Sequence, residues 1–196
     1  LFLPRNRILV TMENLDSSAR YQWTSAQDGD LLPLVLLVNS QSSSASELVA
    51  GAFQDHQRAS LVGDRTYGKG TVQNAEPWEG FQDDIVILRT IGRFYLPSGR
   101  TNQIYGVIPD FEVYRQPNPT ELDQFALREE DYYTNVLPAL GEPWEQTRPM
   151  EIQRLQTCIE SSGLASQRFQ ELQPHVASPD YQFFYSQDLM TCLLDG

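Results

Sequence analysis

The sequence predicts an α/β fold with at least some parallel sheet, and three successive segments lead to that prediction. Residues 33–38 form an apolar run continuous enough for a strand buried on both faces, residues 45 to about 56 show an amphipathic helical pattern, and residues 60–62 form a second apolar strand. Strand, helix and strand in this order make a βαβ unit, whose two strands run parallel. Hydrophobic residues make up 40% of the 196 residues, which is typical of a globular protein with a real core.

The other segments up to residue 115 are predicted as strands and turns. An apolar run predicts a first strand at residues 7–12, and turn-rich residues 63–70 follow the βαβ unit. Three further strands are expected at residues 71–74, 84–95 and 104–114. Four residues of the helix are expected to form its apolar face: Leu48, Val49, Ala52 and Phe53.

The composition changes after residue 115, and we divide the chain there into residues 1–115 and residues 116–196. Residues 116–146 are rich in Pro, Glu and Asp and predict a long, partly extended connection. Pro149 then opens a helix that Gly163 ends, with one apolar face made by Ile152, Leu155 and Ile159. Ser178-Pro179-Asp180 caps a second helix, whose docking residues are Tyr181, Phe184, Tyr185 and Cys192.

Charge and cysteine content exclude some functions and leave others open. The net charge of −12, with only 14 Lys and Arg, argues against a nucleic-acid partner and against binding to an anionic membrane surface. Cys158 and Cys192 are compatible with one disulfide in an oxidising compartment, and equally with two buried thiols.

A cluster of serines lies where the buried strand ends and the helix begins: Ser42, Ser43, Ser44 and Ser46. A helix N-terminus offers free backbone N–H groups and a positive dipole end, which stabilise the oxyanion formed in acyl transfer.

A catalytic serine also needs a base. His56 lies about 18 Å along the same helix at ~1.5 Å per residue, and His175 has no catalytic-looking neighbours, so a Ser-His-Asp triad fits poorly.

Lys69 is the better candidate for the base. It lies between Gly68 and Gly70, which allow the backbone to approach another strand closely and to adopt unusual dihedral angles. A lysine acts as a base near neutral pH only when burial away from carboxylates populates its neutral form. Strand alternation places Lys69, Thr71 and Gln73 on one side, where the Gln73 amide can orient the amine.

Each motif has a simpler explanation when taken alone. Ser44-Ala45-Ser46-Glu47 matches a capping box, in which Ser44 accepts the backbone N–H of Glu47. Gly68-Lys69-Gly70 matches a hairpin tip with an exposed lysine. Only the combination of the two motifs favours catalysis.

The combination resembles the C-terminal processing (tail-specific) peptidases, which are Ser-Lys dyad serine proteases. The resemblance is carried by residues 42–56 (SSSASELVAGAFQDH) and 61–73 (LVGDRTYGKGTVQ), extends to residues 1–4, 91–100 and 106–110, and covers roughly residues 1–113. The 25 residues that separate Lys69 from the serine are the family's spacing, which selects Ser44 among the four serines. Ser40, Gln41 and Ser43 differ mildly from the Gly or Ala common in the family.

The resemblance implies a serine endopeptidase that cleaves near protein C-termini through an acyl-enzyme. Ser44 would attack the scissile carbonyl, Lys69 would take and return the proton, Gln73 would orient Lys69, and the Ala45 N–H would be one oxyanion donor. This chemistry requires no metal and no cofactor. The family has an acidic residue linked to activity at the position of Asp55; because Asp55 lies about 16 Å along the helix from Ser44, we interpret it as structural.

The resemblance also implies a fold and a cellular setting. The fold is a Clp-protease/crotonase-like core of β-β-α units, incomplete at its N-terminal side, with a helical C-terminal extension. The setting is extracytoplasmic, most often the bacterial periplasm or cell envelope and less often a plastid lumen. Family members carry upstream a PDZ domain that binds substrate tails and a Pro-Gly-Gly turn with the second oxyanion donor. Neither is found in this sequence, so the isolated chain is expected to be a poor hydrolase, because losing one oxyanion donor costs about a hundredfold or more.

The alternative function is a non-catalytic binding module on the same fold. Four late aromatic residues would then form a docking surface, although packing on the domain's own core explains them more simply: Tyr181, Phe183, Phe184 and Tyr185. The presence of Ser44, Lys69 and Gln73 together favours the enzyme. Neither the substrate nor the oligomeric state follows from the sequence.

Overall fold

The computed structural model describes residues 1–77, 85–120, 126–172 and 180–195. In these ranges the chain forms a mixed α/β structure, as the sequence predicts, with strands in two sheets. The strands are β1 (Ile8–Asn14), β2 (Arg20–Thr24), β3 (Val35–Val38), β4 (Ser60–Gly63), β5 (Thr71–Pro77), β6 (Val86–Tyr95) and β7 (Phe111–Glu112). The helices are α1 (Ala45–Asp55), α2 (Glu129–Tyr132), α3 (Pro149–Ser162), α4 (Leu164–Leu172) and α5 (Tyr181–Leu194).

The predicted βαβ unit lies in a three-stranded parallel sheet with the order β3-β4-β7. α1 connects β3 to β4, and the two strands pair from Val35 opposite Ser60 to Val38 opposite Gly63. β4 is buried along its whole length, whereas the edge strand β3 leaves Leu37 46% exposed. The expectation that β3 is buried on both faces is therefore wrong, because the described residues leave the Leu37 side of this edge strand uncovered.

The second sheet contains four antiparallel strands in the order β2-β1-β6-β5, with β5 at one edge. The predicted strand at residues 84–95 is found from Val86 onward, and residue 84 lies outside the described residues. β2 was not predicted, although Tyr21 and Trp23 alternate with polar residues as in a strand. All five of its residues are exposed. It forms because the chain turns back along β1, where the Asn14 N–H donates to the Ala19 carbonyl oxygen at 3.0 Å.

The strand predicted at residues 104–114 is wrong over most of its length, because only Phe111–Glu112 is a strand. Ile104 and Gly106 have φ angles of 67° and 64°, outside the extended region, and Pro109 has no N–H to donate to a ladder. Instead the segment turns against the loop that carries Lys69, where the Ile104 N–H donates to the Gly68 carbonyl oxygen at 2.9 Å.

α1 packs through its small residues rather than through the whole predicted apolar face. Ala50 is 1% exposed, whereas Val49, which was predicted to face the core, is 51% exposed. At Gly51 an added β-carbon would lie only 2.5 Å from Leu96 Cδ1. This close approach favours the smallest side chains. The side of α1 that packs on the core is therefore rotated relative to the predicted apolar face. The other predicted residues are buried or pack against the core: Leu48, Ala52 and Phe53.

The C-terminal helices pack on the parallel sheet. The predicted face of α3 is confirmed, because Ile152, Leu155 and Ile159 are buried in one cluster with Phe111 of β7. Gly163 ends α3 with a φ of 62°, as expected of a glycine at this position. None of the described helices is long and apolar enough to cross a membrane.

α5 is fixed to the body by side-chain packing, a cap and a disulfide. Tyr181 and Tyr185 pack against the same cluster, which confirms their predicted docking. Asp180 caps the helix by accepting from a backbone N–H at 3.0 Å, while Ser178 and Pro179 of the predicted cap lie outside the described residues. Cys158 of α3 and Cys192 of α5 form the disulfide that the sequence left open. α4, between the two predicted helices, was not predicted.

Candidate active site

Ser44 ends the loop between β3 and α1, and its backbone conformation is strained. Its φ is 53° and its ψ is −117°; a positive φ at a non-glycine residue is uncommon and costs of order 1–3 kcal/mol. The loop before it is held at Ser42, whose N–H donates to Asn39 and whose carbonyl oxygen accepts the Tyr67 N–H, both at 2.9 Å. Ser44 is half-buried and stands directly before the N-terminus of the helix.

Glu47 is the buried residue that binds the backbone of Ser44. Its side chain is 0% exposed, and its carboxylate accepts four hydrogen bonds. Oε2 accepts the N–H groups of Ser44 and Lys69 at 2.9 Å each, and Oε1 accepts the Gly68 N–H at 2.8 Å and the Thr66 hydroxyl. Burial raises the pKa of Glu47 above its usual range, and the hydrogen bonds oppose that shift.

Only the Glu47 half of the expected capping box is formed: the Glu47 carboxylate accepts the Ser44 N–H, while the Ser44 side chain makes no capping hydrogen bond. Glu47 also does more than cap a helix. Three of its hydrogen bonds come from the loop between β4 and β5, which contains the candidate base. The local pattern revealed the cap and missed this second role, because a sequence motif does not show which distant loop reaches the carboxylate.

The two glycines beside Lys69 hold its loop against residues 101–104. Gly68 has a φ of 96°, and an added β-carbon would lie 2.7 Å from the Ile104 carbonyl oxygen. At Gly70 an added β-carbon would lie 2.7 Å from the Gln103 backbone nitrogen. The unusual dihedral angle and the close approach predicted from these glycines are confirmed, although the neighbour is a turn rather than a strand.

Lys69 is half-buried as a residue, but its amine is not: Nζ donates to Gln73 Oε1 at 3.0 Å in an exposed hydrogen bond. Thr71 and Gln73 line the same cleft as Lys69. The Lys69 carbonyl oxygen accepts from Asn102 Nδ2 at 3.0 Å, which fixes the backbone from which the amine extends.

Ser44 and Lys69 are brought together through their backbones. Because both backbone nitrogens lie 2.9 Å from Glu47 Oε2, they are separated by no more than twice that distance. Among the described residues the Lys69 amine bonds to Gln73, and the expected hydrogen bond between Ser44 Oγ and Lys69 Nζ is not formed. Catalytic hydrogen bonds often form well only when substrate is bound, and the lysine stem is flexible.

Ala45, the expected oxyanion donor, is the first residue of α1 and is exposed. Within the part of the chain that the structure describes, no group accepts its backbone N–H. An oxyanion donor requires such a free N–H directly after the candidate nucleophile.

Asp55 and His56 are engaged elsewhere at the far end of α1. The Asp55 side chain is 3% exposed and accepts from Arg100 Nε at 3.0 Å and from the Ser98 N–H at 2.9 Å. His56 Nε2 lies 2.7 Å from a carbonyl oxygen of β1. Asp55 thus holds the turn after β6, in agreement with a structural role, and His175 lies outside the described residues.

A buried polar network that the sequence did not indicate fixes the other side of the Lys69 loop. Gln103 is 0% exposed; its Oε1 accepts the Gly70 N–H at 2.8 Å and its Nε2 donates to Glu129 Oε2 at 2.7 Å. The Arg128 guanidinium donates to backbone carbonyl oxygens of residues 65 and 66. The sequence gave no signal for this network, because Glu129 lies in residues 116–146, which were predicted to be an extended connection.

Two clefts open near the loops that carry the candidate residues, although Ser44 itself lines neither of them. One of about 430 Å³ borders the serine loop and is lined in part by Ser43, Tyr67 and Tyr132. The other, of about 470 Å³, is lined by Lys69 and Gln73 on one side and by Tyr133 on the other. Within the described residues, no group of three or more His, Cys, Asp or Glu side chains is arranged to hold a metal ion.

Several curated relatives similar to this chain are named as proteases. The model of peptidase family S41 matches residues 1–113. The chain is 42% identical over 97 residues to the carboxy-terminal-processing protease of Bartonella bacilliformis, a match that covers 48% of this chain and 21% of that protein. It is 37% identical over 117 residues to the carboxyl-terminal-processing protease of Synechocystis sp., covering 60% and 26% of the two chains. The solved structure of a photosystem II D1 C-terminal processing protease is 29% identical, with 60% of this chain and 31% of that chain covered and a TM-score of 0.49. The chain therefore spans about a fifth to a quarter of the length of these two curated relatives.

Proposed function

Because the chain belongs to peptidase family S41, we propose that it carries the nucleophile and the base of a serine endopeptidase that cleaves proteins near their C-termini. The substrates are polypeptides, and the reaction proceeds through an acyl-enzyme on Ser44. A PDZ domain and further core segments of the full-length protein complete the enzyme.

One observation carries this proposal: a single buried oxygen, Glu47 Oε2, binds the backbone of both Ser44 and Lys69. A nucleophile and a base act together only when their distance is fixed. The strained φ of 53° at Ser44 adds support, because strain of this kind concentrates at functional sites.

In the acylation step, Ser44 Oγ attacks the carbonyl carbon of the scissile peptide while its proton passes to Lys69 Nζ. The negative charge that develops on the carbonyl oxygen is stabilised by the Ala45 N–H. Collapse of this intermediate breaks the C–N bond, and Lys69 gives the proton to the leaving amine. An ester between Ser44 and the acyl part of the substrate remains.

In the deacylation step, Lys69 takes a proton from water, which attacks the ester carbonyl. The C–O bond to Ser44 breaks, the proton on Lys69 passes to the serine oxygen, and the product leaves as a carboxylic acid that loses its remaining proton to water. Gln73 orients the Lys69 amine between the two steps through the contact at 3.0 Å.

We place the protein in an extracytoplasmic compartment, such as the bacterial periplasm or cell envelope. The disulfide between Cys158 and Cys192 supports this setting, because disulfides persist where the environment is oxidising.

Turnover of a peptide with a free C-terminal tail by the full-length protein tests the proposal. Ser44→Ala and Lys69→Ala should each lower kcat by several orders of magnitude, on the order of the 10⁶-fold loss seen when a catalytic serine is removed. Ser46→Ala is the matched control, because this neighbouring serine in the first turn of α1 is exposed, and its kcat should stay within about threefold of wild type. If Ser44→Ala or Lys69→Ala retains wild-type turnover, the dyad is wrong. If wild type binds the peptide but does not cleave it, the alternative of a binding module is supported.

A further inference from the structure

We propose that Glu129 is a positioning residue for the base: through the side chain of Gln103, it fixes the backbone from which Lys69 extends. This inference rests on the proposed function and adds to it a residue beyond the segment that the family model matches, residues 1–113. Glu129 acts on the base through Gln103 and does not itself bind the substrate.

Every backbone polar group of residues 68–70 has a hydrogen-bond partner. The N–H groups of Gly68 and Lys69 donate to Glu47 at 2.8 Å and 2.9 Å, and the N–H of Gly70 donates to Gln103 Oε1 at 2.8 Å. The three carbonyl oxygens accept, in chain order, from the Ile104 N–H at 2.9 Å, Asn102 Nδ2 at 3.0 Å and the Phe94 N–H at 2.8 Å. The place from which the Lys69 amine reaches out is therefore set by these bonds.

Two buried carboxylates from different helices share this task. Glu47 of α1 binds the first two N–H groups directly, whereas the third is bound by Gln103, which in turn is bound by Glu129 of α2. The backbone of Gln103 is itself fixed, because its N–H donates to Thr101 Oγ1 at 3.1 Å and its carbonyl oxygen accepts the Tyr105 N–H at 2.8 Å. The orientation of the Gln103 amide then decides whether Gly70 is bound.

Glu129 selects the orientation of this amide. A glutamine amide has an acceptor at one end and two donors at the other, so a turned amide would place its NH₂ group against the Gly70 N–H. The Gln103 Nε2 donates to Glu129 Oε2 at 2.7 Å. Because a carboxylate oxygen accepts and does not donate, this bond favours the orientation that leaves Oε1 for Gly70.

Glu129 is held on the same loop by its own surroundings. It is 6% exposed, and its backbone N–H donates to the Tyr67 carbonyl oxygen at 3.2 Å. The preceding Arg128 is 8% exposed, donates to the Thr66 carbonyl oxygen at 3.0 Å and pairs with Asp64 at 3.4 Å. Burying charged side chains is costly unless they are hydrogen-bonded or paired. The two residues therefore have one well-defined position relative to the Lys69 loop.

The consequence for catalysis follows from the geometry that a general base requires. A misplacement of about 1 Å by a residue remote from the chemistry can cost about a hundredfold in rate. Loss of the Gly70 anchor would release one side of the Lys69 backbone, while the bonds to Glu47 would remain. We therefore expect a reduced rate of the chemical step rather than weaker binding of substrate.

The first test compares peptide cleavage by variants of the full-length protein. Glu129→Leu removes the acceptor of Gln103, and it should lower kcat by about tenfold or more while KM stays within about threefold of wild type. Glu129→Gln keeps an acceptor oxygen, and its kcat should stay within about threefold of wild type. Glu130→Leu is the matched control, because Glu130 is the next residue of α2, is exposed, and should keep the wild-type kcat.

A second test separates positioning from loss of stability. Because Glu129 acts through Gln103, the double variant Gln103→Leu/Glu129→Leu should lower kcat no further than Gln103→Leu alone. Leu155→Ala is the control for stability, since Leu155 is buried in the cluster formed by the C-terminal helices and makes none of the bonds to the Lys69 loop. Below its unfolding temperature it should keep the wild-type kcat.

The outcomes distinguish this inference from the proposed function. If wild type cleaves peptides through Ser44 while Glu129→Leu keeps its kcat, the positioning role is wrong and the proposed function stands. The role is also wrong if Glu129→Leu raises KM with kcat unchanged, if Glu129→Gln loses as much kcat as Glu129→Leu, or if the losses in the double variant multiply. If wild type shows no cleavage that depends on Ser44, both proposals fail.

Discussion

Ser44 and Lys69 donate their backbone N–H groups to the same oxygen atom, Glu47 Oε2, each over 2.9 Å. They belong to different structural elements, the N-terminus of α1 and the loop between β4 and β5. Their relative position is therefore set by a third residue, which is 0% exposed.

Replacing Glu47 with Gln should destabilise the protein and disrupt the site. The amide oxygen can accept only part of the four hydrogen bonds, and the amide NH₂ would meet donors rather than acceptors. Leaving buried N–H groups unpaired costs about 1–3 kcal/mol each, so the free energy of unfolding should fall by about 2 kcal/mol or more. Urea unfolding measures this, with the exposed Glu142→Gln as the matched control. Equal unfolding midpoints for the two variants would contradict the role given to Glu47.

The buried carboxylate also predicts a particular pH dependence. Burial raises the pKa of Glu47 in the folded protein above its ordinary value of 4.5. At a pH between the ordinary pKa and the raised pKa, Glu47 therefore binds a proton in the folded protein but not in the unfolded chain. The contribution of Glu47 to the free energy of unfolding should therefore fall as the pH rises through this window. This contribution is measured by urea unfolding of wild type and Glu47→Gln from about pH 4 to pH 8. The free energy of unfolding of wild type minus that of the variant should decrease as the pH rises. A difference that grows with pH would mean a lowered pKa instead.

Gly68→Ala should destabilise the Lys69 loop more than strain alone explains. Gly68 and Gly99 have φ angles of 96° and 88°, but only at Gly68 does an added β-carbon meet a neighbour, the Ile104 carbonyl oxygen at 2.7 Å. Gly99→Ala therefore measures the cost of the dihedral angle alone, about 1 kcal/mol. Gly68→Ala should cost clearly more in thermal unfolding, and it should reduce kcat. Equal costs for the two variants would show that the close approach to Ile104 is not required.

Asp55→Asn should affect stability rather than chemistry. The Arg100 and Asp55 side chains are only 11% and 3% exposed, and breaking such a buried pair costs about 3 kcal/mol. Glu76→Gln breaks the exposed pair with Arg89 and should cost less than about 1 kcal/mol. The kcat of correctly folded Asp55→Asn protein, and its pH profile, should match those of wild type. A displaced pH profile would give Asp55 a catalytic role after all.

Reduction of the disulfide should destabilise the protein. Cys158 and Cys192 are 34 residues apart, for which the loss of chain entropy predicts a contribution of about 3–4 kcal/mol. The urea midpoint should therefore fall when reductant is added to wild type. It should not change further when reductant is added to the Cys158→Ala/Cys192→Ala double variant. An unchanged midpoint in wild type would show that the disulfide does not stabilise this fold.

The sequence was a good guide where local patterns decide the structure. α1, α3 and the parallel pairing of β3 with β4 follow from apolar periodicity and from end signals such as Gly163. The close approach at Gly68 and Gly70 followed from the glycines themselves. In these cases residues near one another in the chain determine the outcome.

The sequence was a poor guide where distant segments decide the structure. β2 is exposed throughout, so pairing with β1 rather than burial determines it. Val49 is exposed because Gly51 places α1 directly on Leu96. The link from Gln103 to Glu129 joins residues 26 apart, and no local motif records it.

Covalent trapping of the acyl-enzyme tests the central claim most directly. The full-length protein is mixed with an activated ester of a substrate peptide and quenched in acid, and the acylated residue is located by mass spectrometry of a digest. We predict an acyl group on Ser44, strongly reduced in Lys69→Ala and unchanged in Ser46→Ala. Acylation of another serine, or equal acylation of Ser44 in Lys69→Ala and wild type, would contradict the Ser44–Lys69 dyad.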